Sequence, residues 1–430
     1  MELVLVGLFF CGYVAISIEH QLKLDKAAIA LFVAFLLWTV IALFGNFHHE
    51  IHQILSEHLS SIAEIVFFLM GAMAIVEVID SHQGFRIITD RIRTRNKRKL
   101  LLILSLTTFF LSAVLDNLAT TIVMMAIMLK FVSSAKDKTI FTGVIVIAAN
   151  AGGAFSPIGD ITTTMLWIGG QVSPFGIMAH TFLPSLAAFL LPLIVAMLMI
   201  DNEILPSHPR ITDSAIVENP KIDTVQKVLV FVVGIGFLIA VPIFKLVTGL
   251  PPFMGILGAL GVLWVLTELL HREGRGELTK HLTVSSALKE IDLSSILFFV
   301  GILLAVAALE VSGTLGRLAT LLDSSIPNLN IIPIVLGLFS AVFDNVPLVA
   351  ASMQMYPLER IPTDSSFWYF LAYAAGTGGS VLIIGSAAGV TAMGITKVSF
   401  GAYALRVGPL ALIGYFSGIL IFYIQTGLRL

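Results

Sequence analysis

The sequence predicts an all-α polytopic membrane protein, with about ten transmembrane helices plus two re-entrant helical hairpins set out as two inverted-topology repeats. Three observations predict it. The residues AVILMFWYC make up 57 % of the 430 positions and charged residues only 12 %, at a mean hydropathy of +0.98. A water-facing domain carries roughly 25 % charged residues, so most of this surface must face lipid. Apolar runs of bilayer length recur from end to end, and one order of elements (span, hairpin, broken span) occurs twice. The net charge of −2 leaves no electrostatic footprint for nucleic acid. Cys11 stands alone, so no intrachain disulfide is possible.

Spans of about 20 apolar residues fall near 1–19, 25–44, 62–80, 180–200, 227–246, 252–270, 293–312 and 402–426. Met1-Glu2 runs directly into apolar sequence without the basic region or cleavage site of a signal peptide, which makes 1–19 a retained span. Two further stretches, 139–171 and 367–396, are apolar but broken by glycine-rich runs. Clustered Lys and Arg mark cytoplasmic loops: Arg86 to Lys99, Lys23 with Lys26, Lys130–Lys138 and His271–Lys289. The loop 45–61 has neither residue, and 313–330 and 358–366 carry one Arg each, so these lie outside, as do both termini. The expected division is N-terminal scaffold helices over 1–61 and a first repeat over 62–200. Cytoplasmic linkers and connecting helices follow over 201–292, then a second repeat over 293–430.

The segment 100–130 has basic residues at both ends, so both ends should be cytoplasmic. One helix would put them on opposite sides; a re-entrant hairpin turning at Asp116-Asn117 does not. Residues 331–358 mirror this from outside, with Asp344-Asn345 near the tip. Irregular backbone at membrane depth survives only inside protein or beside a wet cavity, so the two tips should meet near the middle. Self-similarity supports the pairing. FFLMGAMAIVE (67–77) resembles FFVGILLAVAALE (298–310), LSAVLDNLATT (111–121) matches FSAVFDNVPLV (339–349), and AANAGGAFSPIGD (148–160) matches AAGTGGSVLIIGS (374–386). One glycine run can simply let helices pack closely. Two in register, each after an Asp-Asn pair, point to a transport site where discontinuous helices of the two repeats meet.

Ionisable groups at membrane depth are costly and mark function by default. Here they are Glu77, Asp116, Asp160, Glu310 and Asp344. Asp116-Asn117 and Asp344-Asn345 put a carboxylate and a carboxamide at helix breaks, where oxygens can replace water around a hard cation such as Na⁺. A buried carboxylate also supplies a group that titrates. The same Asp residues can cap half-helices, which is compatible with ion binding. Asp160, just before Thr162-Thr163-Thr164, aligns with Ser386, so the repeat architecture does not demand an acid there. Asn150, Thr162 and Thr163 supply neutral oxygens around it, with Ser340, Asn345, Ser380 and Ser386 as counterparts in the second repeat. Ser112 is expected one turn from Asp116 on the same helix face. Na⁺ would sit at Asp116, Asn117, Asp160 and Asn345, with Glu77 and Glu310 as secondary candidates at matching span ends. The run His48-His49-Glu50-Ile51-His52, with His58, invites a metal reading, but a solvated outside loop accounts for it, with pH sensing the lesser alternative. Walker, Rossmann, zinc-finger and nucleophile-elbow patterns are not apparent. No catalysis and no cofactor are expected, and transport must draw on an ion gradient.

SAVLDNLATTIVM, AANAGGAFSPIGDITTTMLW and SAVFDNVPL resemble the NhaD-type Na⁺/H⁺ antiporters of the ion transporter superfamily, and the likeness runs along nearly the whole chain. The resemblance implies electrogenic exchange of cytoplasmic Na⁺ or Li⁺ for external H⁺ by a multi-pass protein of the bacterial inner membrane. It implies transport roles for Ser112, Asp116, Asn117, Asn150, Asp160, Thr162, Thr163, Ser340, Asn345, Ser380 and Ser386. The wider superfamily implies a homodimer with a scaffold domain and a mobile transport domain. Its dicarboxylate transporters carry Ser-Asn-Thr at each hairpin tip; Asp-Asn stands here instead, adding the negative charge a cation site needs. The alternatives are a Na⁺-coupled symporter of a small anion such as a dicarboxylate, and a non-transporting membrane scaffold or sensor.

Overall fold

The computed structural model describes residues 1–17, 22–45, 50–89, 94, 96–132, 134–201, 223–272, 282–326 and 328–427. Among them every regular element is a helix. The first half comprises α1 (Glu2–Ser17), α2 (Lys26–Phe44), α3 (Ile51–Ser81), α4 (Arg86–Thr89), α5 (Lys97–Ser112), α6 (Asn117–Leu129), α7 (Ala135–Ala154), α8 (Ile161–Ile168) and α9 (Pro174–Met199). Then come α10 (Thr224–Thr248), α11 (Pro252–Leu270), α12 (Val284–Glu290), α13 (Leu293–Val311), α14 (Thr314–Ser325), α15 (Ile331–Phe339) and α16 (Asn345–Met355). The chain closes with α17 (Ser366–Gly378), α18 (Ala387–Thr396), α19 (Phe400–Arg406) and α20 (Gly408–Thr426). Seven of these helices, α2, α3, α9, α10, α11, α13 and α20, are long and apolar enough to cross a membrane. The protein is a multi-pass membrane protein.

The ends of these helices follow from local chemistry. Asp25 opens α2 by accepting from Ala27 N at 2.8 Å. Gly249, at φ 71, ends α10, and Pro252 begins α11 where its missing N–H costs nothing. Three expected boundaries are corrected. The loop drawn at 45–61 is helical from Ile51, so the division at 61/62 falls inside α3, and His52 and His58 lie on a helix. Hydropathy drops over 51–61, but no Pro or Gly interrupts the run, and Gln53 Nε2 bonds Glu57 Oε1 at 2.9 Å across one turn. At 31 residues α3 is about 46 Å long, more than a bilayer core of about 30 Å. The loop 313–330, expected outside, contains α14, and the last expected span breaks at Val407. His48, His49, the linker 202–222 and residues 273–281 of the loop His271–Lys289 lie outside the described residues, as does the middle of the basic run 86–99.

Four helix breaks matter for function. They fall at 113–116, 155–160, 340–344 and 379–386, inside the two segments expected as hairpins and the two expected as broken spans. Around them lie two apolar cores. One gathers Trp167, Phe298 and Trp368 among others. In the other, Phe109 stacks on Phe155 and Phe189, with ring centroids 5.1 and 5.0 Å apart.

Candidate ion-binding site

At equivalent positions the two halves make equivalent contacts. Helix α5 ends at Ser112 and α15 at Phe339, just before Ser340. Ser112 Oγ donates to Ala149 O at 2.6 Å, and its counterpart Ser340 Oγ to Ala375 O at 2.9 Å. A Cβ on Gly152 would strike the Phe109 carbonyl, and one on Gly378 would strike the Gly337 carbonyl. Only glycine permits the approach at either place. Both serines therefore fasten one broken helix to the other. The expectation that Ser112 shares a helix face with Asp116 is corrected, because the helix ends between them.

Each break hands over to a helix whose N-terminus a side chain caps. Asp116 accepts from Ala119 N at 2.8 Å, Asp160 from Thr162 N at 2.8 Å, Asp344 from Val346 N at 3.2 Å and Ser386 from Gly389 N at 3.1 Å. Helix N-termini attract anions. At three of the four, the protein has already supplied the negative charge.

The side chains then knit the halves together. Asn117 Nδ2 donates to Asp160 Oδ2 at 2.5 Å and lies 3.2 Å from Asn150 Oδ1. Asn150 Nδ2 reaches across to Ser380 Oγ at 2.9 Å and Ser386 Oγ at 3.0 Å. Thr162 Oγ1 donates to Asp160 Oδ1 at 2.6 Å, and Thr163 Oγ1 to the Asp160 carbonyl at 2.8 Å. The Asn345 side chain also reaches the Asp160 carboxylate. Asp160 is 2 % exposed and Asn150 fully buried. A carboxylate buried this far is tolerable only because donors surround it.

Asp116 and Asp344 lie close enough to Asp160 for like-charge repulsion. The second of these has a partner that sequence reasoning missed: Lys26 Nζ sits 3.4 Å from Asp344 Oδ2 and 4.4 Å above the Phe298 ring. Tyr13 Oη donates to the Asp344 carbonyl at 3.3 Å. Lys26 entered the sequence reading only as half of a short basic loop, and nothing local ties it to a residue 318 positions away.

Glu77 and Glu310 are not part of this junction. Glu310 lies 3.9 Å from His58, and the neighbours of Glu77 are Asp80 and Glu290. Two cavities flank the site. One of about 640 Å³ borders Lys23, Lys26, Asp292 and Ser294 and reaches Leu118 and Ala387, the neighbours of Asn117 and Ser386. The other, about 290 Å³, borders His58, Glu64, Gln171 and Gln354. They touch opposite ends of α13, roughly 15 Å apart at about 1.5 Å per residue.

Known proteins match this chain along most of its length. The CitMHS family, described as citrate transporters, matches residues 13–368. "Sodium/proton antiporter 1" of Arabidopsis thaliana is 48 % identical over 413 residues, 96 % of this chain and 70 % of that protein. "Sodium/proton antiporter 2" of the same plant is 44 % identical over 421 residues, 96 % of this chain and 97 % of that one. "Na(+)/H(+) antiporter NhaD" of Vibrio cholerae is 31 % identical over 447 residues, 96 % of this chain and 90 % of that one. The chain belongs to the CitMHS transporter family and, within it, to the NhaD-type sodium/proton antiporters.

Proposed function

We infer that the chain exchanges Na⁺ or Li⁺ for H⁺ across an energised membrane, binding either the cation or the proton at Asp160. The observation that carries this is the buried junction of Asp160, Asn117 and Asn150 with Ser380 and Ser386. In the described state Asn117 and Thr162 direct donors at the carboxylate. Turning the Asn117 amide over presents its oxygen instead. Asp160, Asn117, Thr162, Asn150 and Asn345 then offer oxygens of the kind a hard cation takes. Protonating Asp160 removes the charge that holds Na⁺, so the two ions compete for one group. That competition makes the protein an exchanger rather than a leak. Asp116 and Asp344 add negative potential, the one offset by no described ammonium and the other by Lys26.

The same arithmetic disfavours citrate or a dicarboxylate as cargo. Three carboxylates against one ammonium repel a polyanion, and three of the four helix N-termini that would seat it already carry an Asp. The plant and Vibrio cholerae relatives are named for sodium and protons, although the family description names citrate.

The duplicated contacts support two inverted repeats with re-entrant hairpins, α5–α6 and α15–α16, moving with the broken helices α7–α8 and α17–α18 in alternating access. The larger cavity opens from the end bearing Lys23 and Lys26, cytoplasmic by the positive-inside rule. This favours an inward-open state that loads cytoplasmic Na⁺ and releases it against external H⁺. The reading includes a homodimer, and the bacterial inner membrane as one membrane that holds the required gradient. Reconstituted into liposomes with an imposed pH gradient, the protein should dissipate that gradient on addition of Na⁺ or Li⁺. A gradient untouched until citrate is added would make it a symporter, and inertness over a wide pH range would make it a scaffold.

A further inference from the structure

Away from the exchange site, two histidines close the same end of neighbouring helices. His82 follows α3 and His271 follows α11, two helices that pack together along their length. Each ring is held in the same way. His82 Nδ1 lies 2.7 Å from Val78 O and His271 Nδ1 lies 2.7 Å from Thr267 O, in both cases the carbonyl four residues back. A carbonyl oxygen only accepts, so each Nδ1 carries the proton and each Nε2 presents a lone pair. The Ser81 hydroxyl, 3.3 Å from His82 Nδ1, gives its own proton to Val78 O and does not alter this.

Carbonyl capping at a helix C-terminus accounts for the Nδ1 atoms. It leaves the other two nitrogens unexplained. Both Nε2 atoms are buried and have no hydrogen-bond partner, and His82 as a whole is 0 % exposed. A buried acceptor without a donor is costly, and here two occur together, with ring centroids 5.2 Å apart. Two imidazoles sharing one tetrahedral Zn²⁺ through Nε2, at about 2.0–2.1 Å each, have centroids about 5 Å apart. An Nδ1–H donated to a backbone carbonyl is also the usual outer support of a metal-bound histidine.

We propose that His82 and His271 form a two-histidine chelate for a borderline transition-metal ion of the Zn²⁺ or Ni²⁺ class, clamping the end of α3 to the end of α11. Imidazole suits these ions, whereas Na⁺ and Mg²⁺ prefer oxygen. Among the described residues no cluster of three or more His, Cys, Asp or Glu adds a further protein ligand, so the two imidazoles are the protein's contribution. Such a site binds reversibly and more weakly than a four-ligand structural zinc. Glu77, Asp80 and Glu290 interact near this end of α3 and supply negative potential that favours a dication. By the basic loops that follow both histidines, the clamp lies on the cytoplasmic side.

The test titrates chelator-stripped full-length protein with Zn²⁺ alone, following heat release and the unfolding temperature. The expected result is one Zn²⁺ per chain with a rise in unfolding temperature. His82→Ala and His271→Gln should each weaken binding roughly tenfold or more and abolish that rise, because a chelate needs both ligands. His271 is only half-buried, so His271→Gln tests the proposal even if His82→Ala does not fold. Replacing His48, His49 and His52 together by Ala should leave this binding intact. No Zn²⁺ binding by wild type, or binding unchanged in His271→Gln, overturns the proposal. So does binding lost only in the His48, His49 and His52 variant.

Discussion

In the first half of the site Asp116 is held at φ 126, ψ 163, a backbone conformation otherwise almost confined to glycine. The matching Asp344 sits at an ordinary φ −55, ψ 135. Asp116 thus carries strain of order 1–3 kcal/mol. The contrast continues outward: Asp160 faces Ser386 in the alignment, and Asn150 faces Gly376. Lys26 neutralises the tip of the second half only. Yet the tying serines and the glycine contacts beneath are the same in both halves. The two halves share a scaffold of tying serines and glycine crossings, while the acid, the bridging amide and the strained backbone belong to one copy. Strain and a buried acid gather where the ion is expected; the other copy contributes hydroxyls and an Asp344 that Lys26 of α2 neutralises.

Six substitutions break or sharpen that contrast. The largest effect is expected from the acid itself. Asp160→Asn should weaken apparent Na⁺ affinity by about 1.5–3 kcal/mol, roughly tenfold to 150-fold, measured from the Na⁺ dependence of pH-gradient dissipation. Ser386→Ala, at the equivalent place, should cost only about 0.5–1.5 kcal/mol. Equal losses at the two positions would erase the asymmetry. Next is Asn150→Gly, which gives the first half the residue of the second. It removes the hydrogen bonds to Ser380 and Ser386 and the contact with Asn117, so a loss of about 1–3 kcal/mol in unfolding free energy is expected. An unchanged denaturant midpoint would mean that the bridge between halves carries no weight.

Gly152→Ala and Gly378→Ala test the shared scaffold from the other side. Each forces a methyl onto a backbone carbonyl, and each should destabilise by about 1–3 kcal/mol. Similar values are the expectation; a silent substitution at one site would show that the two crossings are not equivalent. The smallest effect belongs to Lys26→Gln. This partly exposed pair is worth about 0–1 kcal/mol, so stability should barely move. The site becomes more negative, and apparent Na⁺ affinity should rise by less than about fivefold. A fall in affinity would mean that Lys26 orders the site rather than opposing the cation.

Much of the fold was legible in the sequence because glycine runs and Asp-Asn pairs are local signals. They marked all four breaks and three of the four helix caps. Asp160 stood out because an acid aligned with a serine. What escaped needed information that no window contains. The Lys26–Asp344 pair joins residues at opposite ends of the chain. The length of α3 was hidden because falling hydropathy does not end a helix when no breaker is present. Ser112 was misread because the helix stops there, so its hydroxyl turns to Ala149 instead of lying above Asp116. Glu310 was grouped with Glu77 by alignment, but it sits against His58 at the C-terminal end of α13, whereas Glu77 lies near Glu290 before its start.

Competition of Na⁺ and H⁺ for Asp160 is tested most directly by the proton that Na⁺ displaces. Na⁺ added to the purified protein in weak buffer should release protons saturably from wild type and from Ser386→Ala, and release none from Asp160→Asn. Undiminished proton release from Asp160→Asn would contradict the assignment and move the exchange chemistry to another carboxylate.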